Sequence, residues 1–189
     1  GCGGRSVHRY GTHVSKSISQ SRKKLANFFS APSVNEIVFT RNATHSLNQI
    51  AKGLEWNKGD VVLTTDREHN SNLVPWLQLE QEQGIDHRVV RSNQDNTFNL
   101  ESFEEACAEA GTKLKMVSMS HVGNLDGVET PVKEITKIAK DYGALVSIDG
   151  AQSAPHMSVD VQDLGIDFYS ISIHKMLGPS GLGGLWART

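Results

Sequence analysis

Apolar and polar positions along the chain follow two periods, one near 3.6 residues and one in short continuous runs. From Thr12 to Ser30 a polar background carries Val14, Ile18, Leu25, Phe28 and Phe29, which predicts a helix with a one-sided apolar stripe. Glu36-Ile-Val-Phe-Thr40 is short and rich in β-branched residues, a strand pattern. Thr44 is the expected N-cap of a helix through Leu47, Ile50, Ala51 and Leu54. The turn Gly59-Asp60 precedes an expected strand, Val61 to Thr65. A helix from Val74 to Glu82, a strand from Arg88 to Arg91, a helix from Leu100 to Glu109 and a strand from Leu114 to Ser120 follow.

The second half continues the alternation. Pro131 is expected in the first turn of a helix carrying Val132, Ile135, Ile138, Ala139 and Tyr142, with Gly143 at its end. Ala144 to Asp149 is a buried-strand pattern closing on a carboxylate, and 168–173 and 183–187 are strand-like too. Strands alternating with amphipathic helices predict an α/β fold, a mostly parallel sheet flanked by helices. Ligands of such sheets bind beyond the carboxyl ends of the strands, so those ends are where chemistry is sought.

Composition narrows the class of partner. The 189 residues are 38% hydrophobic and 21% charged, enough apolar material for a packed core. With 19 basic against 21 acidic residues the net charge is −2, which favours neither nucleic acid nor an anionic membrane surface. No apolar run approaches the ~18–20 residues of a membrane span. Two cysteines, Cys2 and Cys107, are too few for a disulfide framework, so a reducing, cytoplasmic setting is expected. Cys107 falls in an amphipathic helix and is read as a core thiol. The chain starts GCGG without an initiator methionine and stops just after a strand-like run, so a part of a longer protein is expected.

Several strand ends deliver polar groups of different kinds. Arg41-Asn-Ala-Thr44 leads into a helix whose first-turn amides suit a phosphate, or merely form a capped start. His69 follows the strand 61–65 and is placed either to stack on a flat ring and move protons, or to sit solvated in a loop. His121 and Asn124 share the loop after Ser120, with the same two readings. Asp149 ends an apolar strand, where an unpartnered carboxylate is costly, and Gln152 follows it closely. The pair suits a protonated ring nitrogen and a ring oxygen; the alternative is a turn-capping Asp. Lys175, beside Ser172 and His174, is a candidate nucleophile toward an aldehyde if desolvated, or a snorkelling surface lysine. The glycines from Gly178 to Gly184 permit close backbone approach or simply a tight turn. Together these are the parts a pyridoxal phosphate (PLP) site requires. A nucleotide-binding domain is disfavoured, because no Gly-rich fingerprint follows the first strands.

The segments Ser147-Ile-Asp149-Gly-Ala-Gln152 and Ser172-Ile-His174-Lys175 resemble those of class V aminotransferase-fold enzymes, nearest to the cysteine desulfurase and selenocysteine lyase branch of the sulfur-mobilising type. Val7-His8-Arg9 with Gly11, Arg41 to Thr44, Glu68 to Trp76, His121 to Asn124 and Gly178 to Gly183 extend the resemblance over nearly the whole chain. It implies that residues 1–189 form the PLP-binding large domain of an aspartate aminotransferase-like, fold type I enzyme, without its C-terminal small domain. It also implies a PLP-dependent reaction on an amino acid, cysteine first, with sulfur passed to an acceptor protein and a homodimeric assembly. By the same resemblance Lys175 holds the cofactor as a Schiff base and moves the substrate's α-proton, and Asp149 keeps the ring nitrogen protonated. Gln152 meets the ring hydroxyl, His69 lies over the ring, and Asn124 orients the ring oxygen or the substrate carboxylate. Thr44, Ser172 and His174 bind the phosphate.

Three residues depart from the family pattern. Ala43 stands where relatives place a second hydroxyl, Ile173 separates Ser172 from His174, and Asp126 occupies a usually apolar loop. The persulfide-forming cysteine and carboxylate-binding arginine of desulfurases are expected downstream of residue 189. Other reactions of the class (transamination, epimerisation, kynurenine-type cleavage) remain open, as does a non-catalytic cofactor-binding domain.

Overall fold

The computed structural model describes residues 8–189; Cys2 and Val7, singled out above, lie outside the described residues. The seven strands found among the described residues are β1 (Ile37–Thr40), β2 (Val61–Thr65), β3 (Asp86–Val90), β4 (Leu114–Ser120), β5 (Leu145–Asp149), β6 (Phe168–Ser172) and β7 (Gly183–Ala187). They form one sheet in the order β1-β7-β6-β5-β4-β2-β3. β7 runs antiparallel to both β1 and β6, and the other pairings are parallel. The sheet is therefore mixed and mostly parallel, as the alternation of elements predicts.

Helix α1 (Arg9–Phe28) precedes β1, and α2 (Ala43–Gly53), α3 (Asn70–Gln83), α4 (Leu100–Ala110) and α5 (Val132–Asp141) connect β1 through β5 in turn. Alternate residues along each strand point to opposite faces, so the sheet feeds two cores. Val62, Met116 and Leu185 pack with Leu47 and Ile50 of α2 and Trp76 and Leu79 of α3. Val61, Leu63, Val117, Met119, Val146 and Ile148 pack with α4 and α5 through Phe103, Cys107, Ile135 and Ala139. Cys107 is fully buried there, and burial, with Glu104 adding to it, pushes its thiol up to about 12. It is a packing residue, inert as a nucleophile.

Element boundaries differ from expectation where local chemistry was misjudged. Asn42, not Thr44, caps α2, its side chain accepting from His45 N at 2.8 Å. Helix α3 starts earlier than Val74, at Asn70, because His69 serves as its N-cap. Pro131 is the N-cap of α5, not a first-turn residue. Strand β3 begins at Asp86 instead of Arg88, since its residues pair in parallel register with Val61 to Thr65.

The stripe of α1 divides along its length. Ala26 and the adjoining Phe29 are buried and Leu25 packs against the core, whereas Tyr10, Val14, Ile18 and Phe28 are exposed. No helix among the described residues is long and apolar enough to cross a membrane.

Candidate active site

One edge of the sheet collects the polar residues. Ser120 and Asp149 are register partners at the ends of β4 and β5, and Asp149 is paired in turn with Ser170. β6 ends at Ser172, whose partner Gly183 opens β7, and Gly183 is also opposite Thr40 at the end of β1. Thr40, Thr65, Ser120, Asp149 and Ser172 thus mark the carboxyl ends of five strands.

A cavity of about 220 Å³ lies at this edge. Thr44 reaches it from the first turn of α2, and His69 from the β2–α3 loop. Asn124 comes from the loop after β4, and Asp149 and Gln152 from the end of β5. Ser172, His174 and Lys175 complete it from the end of β6. Thr44, His69, Asn124, Asp149, Gln152, Ser172, His174 and Lys175 therefore line one cavity, whereas the further candidate His121 does not. Asn42 and Ala43, part of the turn expected to suit a phosphate, line it as well, as do Ser71, Ser120, Val122 and Ala151, which were not named as site residues. Asn42 carried a readable signal, being an N-cap residue type directly after a strand. Ser120 carried none, since a serine closing a strand is commonplace. His121 is turned away: it lies buried beside Tyr169, ring centroids 6.2 Å apart, and borders a different groove.

Local structure fixes several of these groups. Ser172 Oγ accepts from Ala43 N at 2.9 Å, tying the end of β6 to the first turn of α2. Gly183 permits that contact, because a Cβ there would stand 2.5 Å from Asn42 Cα. His69 Nδ1 accepts from Ser71 N at 3.1 Å, so the neutral imidazole carries its proton on Nε2. Ala43, which lacks the second hydroxyl expected there, lines the cavity, and its N–H is taken up by Ser172 Oγ. Asp126 pairs with Arg67 and accepts from Val128 N at 3.1 Å, holding the Asn124 loop against the β2–α3 loop.

Asp149 differs from the other buried acids. Glu36 accepts from Trp186 Nε1 at 3.0 Å, from Ser33 N and from Thr189. Asp167 accepts from Val146 N at 2.7 Å and pairs with Lys140 and Arg188. Asp149, only 5% exposed, has one donor among the described residues, Ala151 N at 2.9 Å to Oδ1. Burial raises its carboxyl above the usual range, against the pull of that amide, Lys175 and His69. It is a buried acceptor short of a cationic donor at the floor of a cavity. A protonated ring nitrogen is such a donor, and the α2 N-terminus with Thr44 offers an anion site on the same cavity. The residues present fit PLP. No metal-ligand cluster occurs among the described residues.

The class-V aminotransferase profile matches residues 1–189. The chain belongs to that family. A probable cysteine desulfurase of Halalkalibacterium halodurans is 40% identical over 187 residues, covering 97% of this chain and 45% of the relative. The apo structure of a cysteine desulfurase from Thermococcus onnurineus NA1 superposes with a TM-score of 0.92 at 38% identity, over 98% of this chain and 46% of that one. The cystine C–S lyase C-DES, in complex with its product cysteine persulfide, gives a TM-score of 0.87 at 28% identity, over 98% of this chain and 50% of that one. The chain spans less than half the length of the curated relatives it matches.

Proposed function

We propose that this chain is the cofactor-binding large domain of a PLP-dependent enzyme acting on cysteine, of the cysteine desulfurase type. The observation that carries the reading is the convergence of Asp149, Gln152, His69, Asn124 and Lys175 with the α2 anion site on one cavity. When bound, PLP supplies an electron sink for charge developing at the substrate α-carbon. The first turn of α2 with Thr44, Ser172 and His174 holds its phosphate. With PLP bound, Asp149 would hold the ring-nitrogen proton, Gln152 and Asn124 would serve the ring oxygen, Asn124 alternatively the substrate carboxylate, and His69 would cover the ring. Lys175 Nζ would hold the cofactor and would be the group that moves the α-proton. Relatives named as probable cysteine desulfurases support cysteine as substrate; a sulfur-acceptor protein is the partner such a reaction calls for, and the uncovered stripe of α1 supports a homodimer. The low cysteine count and balanced charge support a cytoplasmic setting.

The test is direct. The chain incubated with PLP should gain a visible absorbance band, and borohydride reduction followed by peptide mapping should place the label on Lys175. Lys175→Ala should abolish labelling. A band that survives Lys175→Ala, or a label on another lysine, overturns the assignment. Sulfide released from cysteine, without comparable cleavage of cystine, separates desulfuration from the C–S lyase reaction.

A further inference from the structure

Glu68 precedes His69 in the β2–α3 loop, and its carboxylate is closed off on both oxygens. Oε1 accepts from Thr65 Oγ1 at 2.7 Å and from Ser120 N at 3.1 Å. Oε2 accepts from Asn72 Nδ2 and from Ser120 Oγ, each at 2.7 Å. Asn72 Oδ1 is itself occupied, accepting from Ser118 Oγ at 2.6 Å and Trp76 Nε1 at 3.4 Å. One carboxylate thereby fastens the end of β2, the first turn of α3 and the last residue of β4 to one another. Two of the residues adjoining this clamp, His69 and Ser120, line the site cavity, and the loop to Asn124 departs from Ser120.

We propose that Glu68 is a positioning residue of this site, setting the pose of the His69 imidazole over the cofactor plane by locking its loop to the end of β4. The inference rests on the PLP reading of the cavity. A structural reason for a carboxylate, and not an amide, is in the donor pattern. An amide nitrogen placed at Oε1 opposes Ser120 N–H, and placed at Oε2 it opposes the Asn72 NH₂. Asn72 does not resolve the conflict by flipping, because its oxygen already receives two donors. Only an ionised carboxylate accepts all four bonds. Burial holds the Glu68 carboxyl above the usual carboxylate range, against the pull of the Thr65, Asn72 and Ser120 donors.

Glu68→Gln therefore leaves size unchanged and breaks the clamp. Without cofactor, amide hydrogen exchange across 66–72 should quicken by about tenfold, the worth of one buried donor left unpaired. With PLP bound, the visible circular dichroism band should move toward that of His69→Ala, and the Glu68→Gln/His69→Ala double variant should match His69→Ala alone. Unchanged exchange in 66–72 overturns the clamp. Exchange that quickens while the dichroism band stays as in the unsubstituted protein reduces Glu68 to packing and overturns its positioning role. Failure of the unsubstituted chain to bind PLP would instead refute the cofactor reading and the positioning role that rests on it, while the exchange arm still reports on the clamp alone.

Discussion

A buried carboxylate with one amide donor is a liability until a cation or further donors reach it, and Asp149 carries that liability. Its raised carboxyl makes the folded chain hold more protons than the unfolded one, from the ordinary value of 3.8 up to the raised value. Stability therefore falls as pH rises through that window, and the penalty is complete above it. Asp149→Asn removes the ionisable group, so the cofactor-free variant should melt at a higher temperature than the parent chain at pH 7. The two should converge below the carboxylate range. If Asp149 holds the ring-nitrogen proton as proposed, the same change in the full-length, cofactor-loaded enzyme removes that partner, and turnover of cysteine should fall by at least about a hundredfold. A variant that melts lower at neutral pH and turns over normally contradicts both halves. Greater stability bought with lost function is the usual sign of a site residue.

At the scale of elements, the approach of β7 to the start of α2 is what shapes the anion end of the cavity. A methyl on Gly183 meets the Cα, C and N atoms of Asn42 at 2.5–2.7 Å, and backbone has no rotamer to swing aside. Gly183→Ala should cost roughly 1–3 kcal/mol by overpacking, read as a lower denaturation midpoint. It should weaken PLP binding as well, because relief comes by shifting α2; binding at parental affinity would argue against that link. None of this was legible in the sequence, where the glycines from 178 to 184 fit a tight turn equally well. The elements themselves were legible, because long amphipathic helices and short β-branched runs advertise their period. Caps were less so: Thr44 and Asn42 are both good capping types, and only the 2.8 Å bond to His45 N decides between them. The clustering of the candidate residues was readable from their types at strand ends, since a mostly parallel sheet sends those ends to one edge. Glu68 was not, because its meaning lies in Ser120, 52 positions away in the chain.

For the whole molecule, the unfinished surface is α1. Its C-terminal end belongs to the core: Phe29 packs on Tyr169 with ring centroids 5.3 Å apart, and Ala26 is buried. Its N-terminal part shows Tyr10 at 72% exposure, with Val14 and Ile18 on following turns, and Phe28 borders a groove of about 830 Å³. Apolar groups at helical spacing that meet no core of their own mark a surface for another chain or another segment. Hydrogen exchange should therefore be graded along the helix, slow from 25 to 28 and fast from 9 to 20 in dilute solution. Lys at both Val14 and Ile18 should change stability by no more than about 0.5 kcal/mol, as at ordinary surface positions. Phe29→Ala should cost about 3–5 kcal/mol, as deletion of a buried ring does. If the stripe serves a homodimer, sedimentation should show self-association of the unsubstituted chain that the paired lysines abolish. A monomer with strong protection throughout 9–20 would mean that the helix needs no cover, and the dimer proposal would fall with it.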